Sequence, residues 1–383
     1  MKVQLVPSRE VLMKCHHSFI AISMILVLAM LAGCSSASLP SSDEPVSIQS
    51  TNTLVPNPNT DTPIPNTNMP VPITNTNTPV PSVPSLSTKG NAVLVHIFTG
   101  HNRRVLDVAF YAQGEYLAST GQDLNIRLWD VESGREVHTF SMRSVDMADL
   151  DIFLEGNLLA SAEAIWDLDT LQEVHVLERG SPYPGSVAFS PDGTILALGL
   201  FEQQITLWDV NSGEPVFTFE KQEENRTKSM DFSTDGALLA AGVIDGTVRV
   251  LDVDSGKIVK VLKYSGETDI HDLAFSPAGK YLATGGRVLA VVLWDVSSGE
   301  VVRTFPLTDN AIRLAFSPDG KILATSGGYE NEIQLWDVER GNLLDALPHN
   351  DQLSSVAFSP DGRLVAAGCY DGNIYLWELQ PHP

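Results

Sequence analysis

The chain has 383 residues and a formal net charge of −23, with 24 Lys and Arg against 47 Asp and Glu. That length allows one large or two ordinary domains with a well-buried core. A surface this acidic repels phosphate backbones, which excludes general nucleic-acid binding, and it weakens adhesion to anionic lipid through a basic patch. Three cysteines, Cys15, Cys34 and Cys369, are too few and too widely spaced for a disulfide framework or a zinc site. Cys369, in "LVAAGCYDG", reads as a small buried hydrophobe.

Phe19 to Gly33 reads FIAISMILVLAMLAG, 15 residues without a charge. A spanning helix needs about 20, so the run fits the apolar region of a secretory signal, with Lys14 as its positive flank. Met13 is a candidate true start, because "MKCHHSF" makes a better leading segment than the residues before it. Leu31-Ala32-Gly33-Cys34 closes the run and resembles the lipobox of bacterial lipoproteins. The resemblance implies cleavage of residues 1–33, attachment of a diacylglycerol to Cys34, and residence in a bacterial cell envelope on the extracytoplasmic side of a membrane. Two or more acyl chains anchor stably where one is marginal. An uncleaved helix and ordinary signal cleavage are the alternatives.

Residues 34–89 carry Cys34 and then a tract of Pro, Thr, Asn and Ser with few large apolar side chains. Such a composition cannot bury enough surface to fold, so a disordered N-terminal tether is expected. At about 3.1 Å per residue its 55 residues after Cys34 reach roughly 170 Å when fully extended.

From residue 90 a unit repeats. "VAFSPDGTILALGLFEQQITLWDVNSG" (187–213), "LAFSPDGKILATSGGYENEIQLWDVERG" (314–341) and "VAFSPDGRLVAAGCYDGNIYLWEL" (356–379) share turns and apolar positions. A phenylalanine recurs as Phe110, Phe153, Phe189, Phe232, Phe275, Phe316 and Phe358. Trp-Asp recurs at Trp129, Trp166, Trp208, Trp294 and Trp336, with Leu251-Asp252 and Trp377-Glu378 in the two other slots. Ser-Pro-Asp-Gly suits a type I turn, and "ITLWDV" alternates at the strand period. Four strands per unit of 41 to 43 residues match one blade of a β-propeller.

These residues resemble the WD-repeat family over nearly all of 90–383. The resemblance implies an all-β, seven-bladed propeller. The last unit ends on its third strand, and "AVLVHIF" (92–98) resembles the fourth strands "REVHTF" and "EVVRTF". The ring is therefore expected to close by pairing residues 92–98 with the last blade, removing exposed sheet edges. Blade two is short: Phe153 to Trp166 spans 13 residues against 19 or 20 elsewhere, so about six are expected to be missing between its second and third strands.

His101, Ser119 and Asp123 resemble a nucleophilic triad in residue type. In WD repeats those slots, with Trp129, form a structural hydrogen-bond network, and blade one alone keeps all four; the serine slot elsewhere reads Leu198, Ala241, Thr284, Ser326 and Ala367. "DVDSG" (252–256) has a calcium-loop look but sits at an ordinary strand turn. No GxSxG, HExxH or GxxxxGK[ST] motif occurs, so no enzyme, cofactor or metal is expected. Partners of the family dock on loops that, mapped here, offer Arg103, Arg104, Tyr183, Phe201, Arg226, Arg287, Tyr329, His349 and Tyr370, aromatic and arginine types enriched in hot spots. The expected function is a monomeric, membrane-anchored scaffold that binds a protein or peptide through this face. The alternative is a small-ligand or glycan sensor using the central channel.

Overall fold

The computed structural model describes residues 92–143, 149–177, 184–200, 205–219, 226–263, 269–287, 289–308, 311–327 and 332–380. The predicted signal 1–33, Cys34 and the tract to residue 89 lie outside the described residues, as do Tyr183, Phe201 and Tyr329.

Seven antiparallel four-stranded sheets form the blades of a propeller. Blade 1 is β2 (Val105–Tyr111), β3 (Tyr116–Gly121), β4 (Asn125–Asp130) and β5 (Arg135–Ser141); blade 2 is β6 (Leu150–Phe153), β7 (Leu158–Ser161), β8 (Ala164–Asp167) and β9 (Gln172–Val176). The order repeats to blade 7, where β26 (Leu353–Phe358), β27 (Leu364–Cys369) and β28 (Asn373–Glu378) take their fourth strand from the start of the described chain, β1 (Val93–Thr99). β1 pairs with β28 from Val93↔Glu378 to Thr99↔Asn373, which closes the ring as the sequence suggests. Phe98, 1% exposed, crosses from β1 onto Trp129 of blade 1 at a ring separation of 5.6 Å.

The core lies between blades. Each cluster of buried side chains joins neighbouring sheets, as where Leu159 and Trp166 of blade 2 pack with Tyr111, Ile126 and Leu128 of blade 1. Cys369 is fully buried here, and burial pushes its thiol up to about 12.

The repeated motifs each have a local cause. In Ser190-Pro191-Asp192-Gly193 the Gly193 N–H donates to Ser190 O at 2.8 Å and Asp192 accepts from Thr194 N at 3.1 Å. The proline of one such turn then rests on the glycine of the next blade, so that a β-carbon at Gly320 (φ +70°) would meet Pro277 Cδ at 3.4 Å. The aspartate in the Trp-Asp slot caps the following turn: in Leu251-Asp252, Asp252 Oδ1 accepts from Ser255 Oγ and from Ser255 N at 2.8 Å, and these bonds hold its carboxyl below the usual range. The "DVDSG" segment is thus occupied with its own backbone.

Blade 2 departs from the expectation in detail. Ile152, not Phe153, pairs with Leu159 opposite Trp166, so Ile152 holds the place of Phe110 and Phe153 is one residue out of register. Counted from Ile152, Trp166 follows after 14 residues against 19 from Phe110 to Trp129, so five residues are missing rather than six. The gap falls where expected, between β7 and β8, and only Ala162 and Glu163 join them.

Candidate functional site

Two places deserve weighing: the hydrogen-bonded tetrad in blade 1 and the central channel. In the tetrad, Trp129 Nε1 donates to Ser119 Oγ at 2.8 Å, Ser119 Oγ lies 2.8 Å from His101 Nε2, and His101 Nδ1 lies 2.8 Å from Asp123 Oδ1. The spacing would suit a nucleophile, yet Ser119 is 0% exposed and His101 7%. No substrate reaches the serine oxygen, so the arrangement ties β3, β4 and the loop before β2 together and does no acyl transfer. Burial lowers the His101 pKa despite the Asp123 bond.

The other blades show what the serine does. Trp294 Nε1 donates to Thr284 Oγ1 at 2.9 Å and Trp336 Nε1 to Thr325 Oγ1 at 3.0 Å. Thr325, and not Ser326, therefore occupies the slot in blade 6, because Thr325 pairs with Leu314 as Ser119 does with Val108. Where the slot holds Leu198 or Ala367, the indole N–H of Trp208 or Trp377 is buried without a partner.

His349 needs a correction. It lies nine residues before Phe358, as His101 lies before Phe110, so it is the tetrad histidine of blade 7 rather than a docking residue. It is 4% exposed, neither ring nitrogen has a side-chain partner, and burial drops its pKa to about 4 against the pull of the Asp351 backbone. Its aspartate, Asp371, is taken instead by Tyr375 OH at 2.8 Å. Ala367→Ser should complete this half-built network and raise stability by about 1 kcal/mol, whereas Ser119→Ala, orphaning two buried groups, should cost about 2–3 kcal/mol. Urea unfolding followed by tryptophan fluorescence measures both.

The channel is walled by the inner strands, and a ring of side chains there fastens each blade to the next. Asp107 Oδ2 accepts from Leu150 N at 3.0 Å, Asp151 from Phe189 N at 2.7 Å, and Ser186 from Met230 N at 3.1 Å. Asp231 accepts from Phe275 N at 2.7 Å, Asp272 from Leu314 N at 2.9 Å, and Ser355 from Val108 N at 3.1 Å. Only between blades 6 and 7, among these junctions, is the sense reversed, with Arg313 Nε donating to Ser354 O at 2.5 Å. Sequence reading missed this ring; its signal was a polar residue inside an otherwise apolar strand, as in "VLDVAF".

Burial raises the pKa of four carboxyls along the channel, Asp149, Asp151, Asp231 and Asp272. Asp149 is pushed well up, by burial and then by the Asp107 charge, and Asp151 rises to about 6 and Asp231 to about 7, each chiefly by burial. Arg313 sits among Asp272, Asp149 and Asp107, whose charges outweigh its desolvation. Among the described residues no group of three His, Cys, Asp or Glu side chains is arranged to hold a metal ion.

At one end the channel opens into a mouth of about 300 Å³, lined by Arg104, Leu106, Gln122, Asp149, Lys228, His271, Arg313 and Tyr370 among others. A further cavity of about 360 Å³ continues along the wall. Of the proposed docking residues, Arg104 and Tyr370 meet here, the guanidinium 4.1 Å above the tyrosine ring. The close approach depends on Gly372 (φ +85°), where a β-carbon would lie 2.7 Å from His101 O and 2.9 Å from Arg103 O. Arg103 is exposed beside them. Lys228 Nζ is 3.2 Å from Asp269, and Arg287 Nε, on a 65% exposed side chain, is 3.9 Å from the same carboxylate. Arg226 is part-buried, and burial lowers its pKa against the pull of Asp269.

The WD domain, G-beta repeat family matches residues 92–130, 256–295, 299–337 and 341–378. The chain carries WD repeats. The anaphase-promoting complex subunit 4 WD40 domain family matches 187–267 of the same WD-repeat propeller. Similar curated proteins include pre-mRNA-processing factor 19 of Bos taurus, 25% identical over 138 residues, which is 34% of this chain and 27% of that protein. Pre-mRNA-processing factor 17 of Homo sapiens is 29% identical over 138 residues, 33% of this chain and 24% of its own length. Nuclear distribution protein PAC1 of Arthroderma benhamiae is 31% identical over 132 residues, 30% of this chain and 29% of its own. The WD-repeat chain thus spans about a quarter of the length of the curated relatives it matches.

Proposed function

We propose that this WD-repeat protein is a non-catalytic, monomeric interaction platform, held to the extracytoplasmic side of a bacterial membrane by lipid on Cys34 and docking a protein or peptide across the channel mouth. The observation that carries the docking role is the mouth itself, where exposed Arg104 stacks on Tyr370 beside a cavity of about 300 Å³. Arginine and aromatic side chains around a concavity are what interaction hot spots are made of. The roles in the relatives' names, pre-mRNA processing and nuclear distribution, are theirs and are not carried over to this chain. What supports the anchor is Leu31-Ala32-Gly33-Cys34 at the end of the charge-free run that begins at Phe19.

Crosslinking in intact envelopes, followed by purification through the propeller, tests the platform: a discrete protein partner is expected, and none recovered would count against it. The anchor has its own test. Cys34→Ala should abolish labelling by an alkyne fatty acid and move the protein from the membrane to the soluble fraction; retention in the membrane without label would favour an uncleaved helix. A second reading, a small-ligand or glycan sensor, is favoured by the two cavities along the channel. It predicts a thermal shift with a soluble metabolite, since a ligand at 100 times its Kd stabilises by about 2.7 kcal/mol.

A further inference from the structure

The chain holds 24 basic residues to 47 acidic, yet around the channel mouth the ratio inverts. Arg104, Lys228 and Arg313 line the opening with a single carboxyl, Asp149. Arg226 and Arg287 stand next to it around Asp269, the other carboxylate of the rim. Among the residues that line the opening, three cations therefore face one carboxyl on a molecule where acid dominates, with Arg313 also serving Asp272 and Asp107 below. His271 lines the same opening, and its buried Nε2 has no hydrogen-bond partner; the nearest carboxylate oxygen, on Asp269, is 3.9 Å away.

Size and charge narrow the occupant. An α-helix with its side chains is about 10–12 Å across, so an opening of about 300 Å³ takes one side chain or a chain end rather than a helix. A polyanion is repelled by the field of the whole domain. Below the mouth the wall carries Asp151, Asp231 and Asp272 and no Lys or Arg beyond Lys228 and Arg313, so a second negative charge going deeper finds no further cation to pair with. The group that fits is singly charged, small and anionic at its tip.

We propose that the mouth seats a peptide-borne carboxylate, an acidic side chain or a chain end of the docked partner, against Arg104, Lys228 and His271. This rests on the platform reading and names the chemistry of its partner. Arg104 is the element best placed to move toward the ligand, being exposed and held only by stacking on Tyr370 among its described contacts. Its guanidinium offers a fork of donors that matches a carboxylate and makes charge-assisted hydrogen bonds with it.

The test uses the full chain and fluorescein-labelled Gly-Glu-Glu-Gly amide, with Gly-Gln-Gln-Gly amide and free glutarate as comparison probes, read by anisotropy and by competition. The Glu peptide should bind at least about ten times more tightly than the Gln peptide, a difference of about 1.4 kcal/mol. Arg104→Glu should weaken it by about tenfold or more and Arg104→Gln by less. Arg363→Glu, on the turn at the opposite end of β26, makes the same change in net charge and should leave binding within about twofold. Equal binding of the two peptides, or an equal loss with Arg363→Glu, overturns the proposal; glutarate competing as well as the peptide overturns the peptide assignment. If crosslinking recovers the same partner with wild type and Arg104→Glu, the platform stands and the carboxylate seat falls. If the peptides behave as expected and no partner is recovered, the seat stands and the platform falls.

Discussion

Deleting residues 92–99 should leave no folded monomer. β1 supplies the fourth strand of blade 7, and without it β28 presents an open edge from Asn373 to Glu378. The loss is not only of strand pairing. Phe98 is 1% exposed and packs with Val105, Leu117, Trp129, Ile374 and Leu376, so one side chain bonds blade 7 to blade 1. His96 Nε2, 3.1 Å from Glu132 O, makes a second link across the same junction. An unpaired edge beside exposed core is a template for association, so size-exclusion chromatography should show large aggregates. The milder Phe98→Ala should stay monomeric and lose about 3–5 kcal/mol in urea unfolding, the usual range for a buried phenylalanine. A deletion variant that unfolds at the wild-type midpoint would show that blade 7 manages with three strands.

Asp231→Asn should raise stability at pH 8 clearly more than at pH 5, where only about a third of the effect is present. The Asp231 carboxyl is pushed up to about 7 by burial first, then by Asp151 and Asp272, against the Phe275 N–H that favours its charged form. Its unfolded value is near 3.8. Between these limits the native state binds a proton that the unfolded chain has lost, so this group's contribution to stability falls as pH rises from about 4 to about 7. His271 and His349, held down to about 4 mainly by burial, act with the opposite sign: their contribution falls as pH drops from about 6.5 to about 4. The two tendencies oppose each other in the wild type, and the difference between variant and wild type isolates Asp231. A fully dry site would give about 4 kcal/mol, but the wall is open to water-sized space, so about 1–2 kcal/mol is expected. At roughly 2–4 °C per kcal/mol for a domain of this size, the variant should gain several degrees in Tm at pH 8. A gain that does not change between pH 5 and pH 8 would mean Asp231 titrates at an ordinary value.

How much of this was legible in the sequence depends on whether residue type or pairing carried the information. The blades were readable because Phe110, Trp129 and their counterparts recur at near-constant spacing and because Ser-Pro-Asp-Gly and Trp-Asp are each required by a local bond. Phe153 misled because a phenylalanine was sought, while hydrogen-bond register puts Ile152 in its place. Ser326 misled in the same way, one residue from the true slot. His349 reads as a loop residue in the sequence because Ala367 breaks the pattern that identifies His101. The channel ring stayed hidden because Asp107, Ser186, Asp272 and Ser355 share only the ability to accept from the next blade's backbone. Arg313 does the opposite job in a matching place, so no identity could have marked it.

The direction of β1 has a mechanical consequence. It starts at Val93, just after Ala92, whose N–H reaches Asp345 Oδ2 at 3.3 Å, level with the Ser359–Arg363 turn, and runs toward the mouth to Thr99. A load applied upstream of Ala92 and resisted by something gripped at the mouth acts along the strand axis. The rungs between Val93–Thr99 and Asn373–Glu378 then bear it side by side, where a sideways pull would part them one after another. The strand that completes the ring is thus set to resist in shear, the direction in which a β pair is hardest to open.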